Sequence, residues 1–405
     1  MKKLIVSFVI TIMIILNPIL VQALEYPELD SKIVEVYDLK DKKIIYKNNI
    51  NKEVSIASLT KIVTTITAIE NISNLDEEVV ITDEILSTVR WDASKAGLKV
   101  GDKVSYRDLL YGSMLPSGAD ATNAIAILSS GSVDNFVIKM NDLVNKLGLK
   151  NTHFVNVTGL DAENHYSSAD DVRKLLEYAL DNELFKQIYT TQQYTLKNGL
   201  TVYSTLRKYN NMGINTSNIL GSKTGYTGEA GYCLSSLSNI NSHEFLIIVL
   251  KAKHKDDKYY SVVDTVTLID FLLDNYKYQV LVKKDDVVKT IPIRLSKEDN
   301  YKVHASKDIK KYLPSDYDKN KFKIKYEGKD HLSFINKKGK KIGTVSYYYD
   351  NKLISKEDVV LNTKIHMSIK KILKEYFYVF ILIILIIFYI LIKPKKKRKK
   401  KTRII

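Results

Sequence analysis

Three short stretches hold the residues able to do chemistry: "SLTK", Ser58 to Lys61; "PSGAD", Pro116 to Asp120; and "GSKTGY", Gly221 to Tyr226. In a helical segment, positions i and i+3 have Cβ atoms about 5 to 6 Å apart, so the Lys61 amine reaches the Ser58 hydroxyl. At a helix start that hydroxyl also lies in the positive end of the dipole, which favours developing negative charge. A lysine taken partly out of water beside a second cation loses basicity, and its neutral form then accepts the serine proton. Lys223 supplies the second cation. On a strand edge, Lys223 and Thr224 present an ammonium and a hydroxyl to a carboxylate, and Gly225 is expected to leave room for a substrate lying alongside. The N–H groups of Tyr226 and Ser58 then form an oxyanion hole, each donor worth about 3 kcal/mol. Ser117 offers a hydroxyl to relay a proton to a leaving amine. Ser-x-x-Lys alone is common in sequences. The three elements in this order, roughly 60 and roughly 105 residues apart, form a specific set.

The elements around these residues follow from periodicity. "SKIVEVYDLKDKKIIYKN" alternates apolar and polar residues on both sides of a charged turn and predicts a β-hairpin. The segment from Ser58 is rich in Val, Ile and Thr, so its helicity must come from burial rather than propensity. Further helices are predicted at "SYRDLLYGSML", "GADATNAIAILSS", "SVDNFVIKMNDLVNKLG" and "SADDVRKLLEYALDN", and strands at "QQYTLKNGLTV", "GYCLSSLSN" and "HEFLIIVLKA". Helices placed in sequence between an early hairpin and late antiparallel strands imply an α/β domain, 24–279. After "DTVTLIDFLLDNYKYQ" the pattern changes to short alternating strands, giving a small all-β domain, 280–366, with a juxtamembrane segment, 367–375, behind it.

Both ends carry membrane signals. Two lysines, an apolar run from Leu4 and the short residues Val21 and Ala23 are the layout of a secretory signal, 1–23. "YFYVFILIILIIFYILI", 376–392, has no charge and reaches roughly 26 Å as a helix, which predicts a transmembrane span in contact with membrane lipid. The basic run after it, 393–405, stays cytoplasmic by the positive-inside rule, so the intervening chain faces outside as an anchored ectodomain. That run also explains most of the charge. The net charge is +16 and nine of the positive charges lie in Lys393–Arg403, so nucleic acid is discounted as a partner. An apolar fraction of 45% in 405 residues supports a sizeable core. The single Cys233 excludes an intramolecular disulfide and reads as a small buried hydrophobe. The seven histidines are scattered, so no metal or other cofactor is expected, and His153 reads as structural.

With these residues in place the chain resembles the serine D-alanyl-D-alanine carboxypeptidases among the low-molecular-mass penicillin-binding proteins. The likeness rests on "ASLTKIVT", "LKVGDKVSYRDLLYG", "LPSGADATNAIA", "NTHFVNVTGLD", "YSSADDV" and "SKTGYTGEAGYCL", and extends to the β-domain and C-terminal attachment. It implies a β-lactamase/transpeptidase-like fold, with Ser58 as acyl-ester nucleophile, Lys61 as proton acceptor, Ser117 as relay and Lys223 as carboxylate ligand. It also implies peptidoglycan stem peptides as substrates and β-lactam antibiotics as covalent inhibitors. One position departs: the family's second element is Ser-x-Asn, and here Ala119 stands in place of the asparagine. Asp120 and Asn123 are the nearby candidates to replace its amide. Two rivals share these elements. A serine β-lactamase would need an added Glu-x-x-Leu-Asn between Ser117 and Lys223, which is missing, and a non-catalytic peptidoglycan-binding scaffold is motivated by Ala119.

Overall fold

The structure, a computed structural model, describes residues 25–255 and 258–392. The signal at 1–23 and the basic tail at 393–405 lie outside the described residues. The chain forms two compact units meeting at Asn275 and Tyr276, four residues before the composition shift at 280.

The first unit is built on a five-stranded antiparallel sheet. β1 (Ile33–Asp38) and β2 (Lys43–Asn48) are the predicted hairpin; β3 (Ile219–Thr227), β4 (Gly231–Ile240) and β5 (His243–Ala252) come after the helices. Their spatial order is β2-β1-β5-β4-β3, which leaves β3, the strand carrying Lys223 to Tyr226, at an edge. β4 and β5 are buried along nearly their whole length, so helices cover both faces of the sheet.

Between β2 and β3 lie α1 (Lys61–Asn71), α2 (Tyr106–Met114), α3 (Ala119–Ser130), α4 (Val133–Lys146), α5 (Ala169–Leu180) and α6 (Glu183–Thr190). Four of these six start on a side-chain cap: Ser105, Ser132, Ser168 and Asn182 each accept a backbone N–H of the first turn, and Ser105 completes a capping box with Asp108. α1 has no such cap; it is buried from Lys61 through Ala68 and is held by the core. The "QQYTLKNGLTV" stretch forms a short hairpin, Gln193–Thr195 with Thr201–Tyr203. α7 (Tyr260–Asn275) closes the unit with Val262, Leu268, Ile269 and Leu272 buried.

The second unit is all-β. Its strands are β6 (Tyr276–Val282), β7 (Val287–Arg294), β8 (Asn300–His304), β9 (Ile309–Pro314), β10 (Phe322–Gly328), β11 (Leu332–Ser333), β12 (Lys341–Tyr349) and β13 (Lys352–Val360), around a core that includes Ile291, Leu332, Val345, Tyr347 and Leu361. β6 pairs with β9, which is why the unit begins at Tyr276. α8 (Ile369–Glu375) and α9 (Phe377–Ile392) follow. Among the described residues no single helix is long and apolar enough to cross a membrane; α8 and α9, bent by 75° at their junction, pass that test together.

Candidate active site

Ser58 lies in a 3₁₀ turn, Ala57–Thr60, and the α-helix begins only at Lys61. The i to i+3 geometry survives this difference: the Lys61 amine donates to Ser58 Oγ at 3.1 Å. Ala57 has φ +48° and Ser117 φ +64°, so the loops bearing both hydroxyls hold left-handed non-glycine residues, a conformation that persists only where the surroundings enforce it.

Those surroundings come from the segment after α4. Asn156 Oδ1 accepts the N–H groups of Thr158 and Gly159 at 3.1 and 2.7 Å and fixes a tight turn. The turn aims the Thr158 carbonyl at Lys61 Nζ, 2.7 Å away, and Thr64 Oγ1 donates to the Val157 carbonyl at 2.8 Å. Gly159 has φ +85°, and a Cβ there would fall 1.9 Å from the Ala57 carbonyl oxygen, so only glycine lets this turn close on the Ser58 turn. His165 completes the brace. Its Nδ1 accepts from the Val155 N–H at 3.2 Å, which leaves the proton on Nε2 to donate to Thr60 Oγ1 at 2.9 Å. Burial pushes its pKa down to about 4, so the ring is neutral near pH 7.

β3 supplies the other wall. Lys223 is fully buried and its amine donates to the Thr224 carbonyl at 2.8 Å, while the Thr224 and Thr205 hydroxyls are 2.8 Å apart. A Cβ on Gly225 would sit 2.9 Å from Ser58 N and 3.0 Å from Ala57 Cβ. The vacancy expected to admit substrate is therefore filled by the protein's own Ser58 turn, and this close approach brings the Ser58 backbone to the edge strand. Tyr226 is exposed and stacks on Tyr232 with ring centres 4.4 Å apart. Asp161 ties the end of β3 to the Thr158 segment by accepting from Thr227 Oγ1 at 2.6 Å and from Glu229 N at 3.2 Å.

Ser117 stands between α2 and α3 with its Oγ buried and without a hydrogen-bond partner among the described residues. An unpartnered buried hydroxyl is costly unless a ligand or water completes it. The candidate replacements for the missing asparagine amide are committed elsewhere. Asp120 accepts the N–H groups of Ala96, Gly97, Leu98 and Ala121, and Asn123 Nδ2 donates to Thr88 Oγ1 at 2.9 Å. Both hold the loop over this corner. Ala119 is itself buried, with its N–H on the Ser94 carbonyl.

Burial pushes the Lys61 pKa down to about 7 against the opposing pull of Asp120. Burial and the neighbouring Lys61 charge hold Lys223 well below the ordinary lysine range. The site thus brings together a hydroxyl, a neutralisable amine in contact with it, a second buried amine and a second hydroxyl with no partner among the described residues. Cys233, opposite Gly225 in the β3–β4 ladder, is buried, and burial raises its thiol to about 12, so it is inert. His153, with Nδ1 against the Asn164 carbonyl at 2.7 Å, is exposed and holds a loop.

Thr158, Gly159, Asp161, His165 and Thr205 join the site without belonging to the Ser-x-x-Lys, Ser-Gly or Lys-Thr-Gly elements. Asn-x-x-Gly in "NVTG" is a turn signal that was available, but which carbonyl it aims, and at what, is a tertiary fact.

Comparison with known proteins places the chain among relatives of known activity. The sequence model of the D-alanyl-D-alanine carboxypeptidase family matches residues 21–254, and that of the penicillin-binding protein 5 C-terminal domain matches 276–367. The chain is 30% identical to the D-alanyl-D-alanine carboxypeptidase DacF of Bacillus subtilis over 321 residues, 78% of this chain and 81% of that protein. It is 27% identical to DacA of Escherichia coli, covering 84% of each. Among solved structures, penicillin-binding protein 5 from Haemophilus influenzae superimposes with a TM-score of 0.59 at 26% identity, over 84% of this chain and 99% of that one. The Streptomyces K15 DD-transpeptidase does so with a TM-score of 0.55 at 28% identity, over 61% and 98%.

Proposed function

The chain belongs to the D-alanyl-D-alanine carboxypeptidase family, and from that premise we propose how its residues carry out the serine-type reaction. Neutral Lys61 takes the proton of Ser58 as Oγ attacks the carbonyl carbon of the penultimate D-alanine in a peptidoglycan stem peptide. The tetrahedral oxyanion accepts the N–H groups of Ser58 and Tyr226. Ser117 relays the proton now held by Lys61 to the departing D-alanine amine, the C–N bond breaks, an ester remains on Ser58, and Lys61 is neutral again. Water then attacks that ester, giving a proton to Lys61, which passes it to Ser58 Oγ as the ester C–O bond breaks and the shortened peptide leaves. Lys223 and Thr224 receive the substrate's terminal carboxylate, which compensates the buried Lys223 and draws it into its ammonium form.

The observation that carries this reading is the 3.1 Å contact between Ser58 Oγ and an amine that burial has brought down to about 7. The test is the intact mass of the penicillin-treated protein: one stoichiometric adduct on wild type and none on Ser58→Ala is expected, and an unmodified wild-type mass would overturn it. Turnover of a D-Ala-D-Ala peptide with slow release of penicillin separates this enzyme from a β-lactamase, and absence of both reactions would leave the scaffold reading.

We also propose that residues 1–23 direct export, that α9 with its flanks anchors the chain in lipid, and that 393–405 stay inside. Support comes from α9 being apolar throughout and exposed along its length. Protease added to intact protoplasts is expected to degrade the catalytic unit and spare a tag placed after Ile405; loss of the tag would reverse the orientation.

A further inference from the structure

The two units carry opposite charge. Residues 24–275 hold 26 Lys and Arg against 33 Asp and Glu, a net −7, whereas residues 276–366 hold 22 against 12, a net +10. The reaction asks nothing of this asymmetry, because its residues all lie in the acidic unit.

The positive charge has a focus. Between β10 and β12 the sequence "KDHLSFINKKGKK", Lys329 to Lys341, folds around a groove of about 330 Å³ lined in part by Lys329, Ile335, Lys337, Lys340 and Lys341. A second groove of about 390 Å³ adjoins it, sharing Lys329 and Ile335. The loop has a defined shape: Ser333 N donates to Asn336 Oδ1 at 2.9 Å and Asn336 N to the Ser333 carbonyl at 3.0 Å. At its crest Ile335 is 73% exposed amid the lysines, although the same unit buries the neighbouring Leu332 completely. Asp330 and Asp358 are the nearby acids, and Asp358 pairs with Lys341 at 2.6 Å, leaving Lys329, Lys337, Lys338 and Lys340 against Asp330 alone, an excess of three positive charges. Gly339 N donates to the Leu361 carbonyl and Leu361 N to the Lys340 carbonyl, so the basic loop is tied to the segment that leads on to α8 and α9.

We propose that this loop is a membrane-docking surface: its lysines engage the phosphates of an anionic lipid leaflet while Ile335 enters the boundary between headgroups and acyl chains. Clustered lysines near a bilayer gain attraction for acidic headgroups, and an exposed aliphatic crest gains further by leaving water. A soluble polyanion would satisfy the lysines alone and give Ile335 no such gain. The chain's departure from this end toward an apolar helix places the loop on the side where lipid would be. The inference rests on the anchoring role proposed for α9, and the two are separable, since co-purification with nanodiscs reports anchoring by itself.

The test uses the full chain in lipid nanodiscs with an environment-sensitive fluorophore on Ile335→Cys; native Cys233 is buried, and unsubstituted protein controls for its labelling. In phosphatidylglycerol discs the probe is expected to shift to the blue and be quenched by lipid-borne quencher, with less effect at 0.5 M than at 0.05 M salt. Phosphatidylcholine discs should give neither change. Lys337→Glu with Lys338→Glu and Lys340→Glu should abolish the shift while turnover of a D-Ala-D-Ala peptide stays within about twofold of the parent. Equal shifts in both lipids, or none in either, would overturn the proposal. So would an equal shift produced by soluble poly(glycerol phosphate) in phosphatidylcholine discs, which would make a wall polymer the partner.

Discussion

The amines of Lys61 and Lys223 are both buried, and each is held by a main-chain carbonyl, Thr158 O at 2.7 Å and Thr224 O at 2.8 Å. Neither forms an ion pair among the described residues. A carboxylate in direct contact would have fixed Lys61 as an ammonium and barred it from the base role proposed for it. A carbonyl dipole orients the amine and leaves it able to give up its proton. The opposing influence on Lys61, the charge of Asp120, is itself occupied by four backbone N–H groups.

Acylation should therefore follow the neutral fraction of Lys61. With its pKa near 7, that fraction rises between pH 6 and pH 8, so kcat/KM for a D-Ala-D-Ala peptide should climb through an ascending limb centred near 7. Stopped-flow acylation by a chromogenic cephalosporin should show the same limb, and a limb centred near 10 would remove Lys61 from the role of base. Lys61→Ala should lose most acylation at every pH.

Asp120→Asn makes a signed prediction. The Asp120 charge raises the Lys61 pKa, so neutralising it should move the ascending limb to lower pH. The new amide NH₂ would also meet N–H groups that the carboxylate now accepts, with a stability loss of about 1 to 3 kcal/mol in denaturant unfolding. An unmoved limb alongside the lost stability would show that Asp120 acts only on the loop.

For Gly225→Ala the added Cβ meets Ser58 N at 2.9 Å and Ala57 Cβ at 3.0 Å, so either the strand or the Ser58 turn must give way. Overpacking of this kind costs about 1 to 3 kcal/mol. The displaced turn carries Ser58, the proposed nucleophile, so kcat should fall by at least about 10-fold, because sub-ångström misplacement at a reacting group is expensive. Retained kcat with a raised KM would instead favour a substrate-facing role for this glycine.

How far the sequence reaches is seen in these same residues. The Ser58–Lys61 contact and the place of Lys223 on an edge strand were legible because a local i to i+3 spacing and a three-residue strand motif carry them, and the caps Ser105, Ser132 and Ser168 were legible because a cap is a local device. The reason for Gly225 was not, since the turn it admits lies more than a hundred and fifty residues earlier in the chain. Thr158 was hidden for a different reason: it acts through its backbone oxygen, which every residue type possesses. Asp120 and Asn123 read as replacements for a missing amide by proximity in sequence, whereas the helix turns both toward the 88–98 segment.

His165 gives the last prediction. Its ring is buried between Thr60 and Val155, with a folded pKa of about 4 against an ordinary value of 6.5, so the native state binds its proton less readily than the unfolded chain. The sign follows from linkage: stability due to this group is fully present above pH 6.5 and is lost as pH falls toward 4, by about 1.4 kcal/mol per unit and about 3 kcal/mol in all. Carboxylates titrate over the same range, so the informative quantity is the difference between wild type and His165→Gln, which keeps hydrogen-bonding capacity but cannot charge. At pH 7.5 the variant should be the less stable, by about 1 to 2 kcal/mol in urea, because a flexible amide braces Thr60 less well than the ring. Between pH 6.5 and 4.5 that gap should close or reverse as wild type weakens faster. Parallel curves across the range would show that the ring does not resist protonation, and with it the account of how the Ser58 turn is braced would fail.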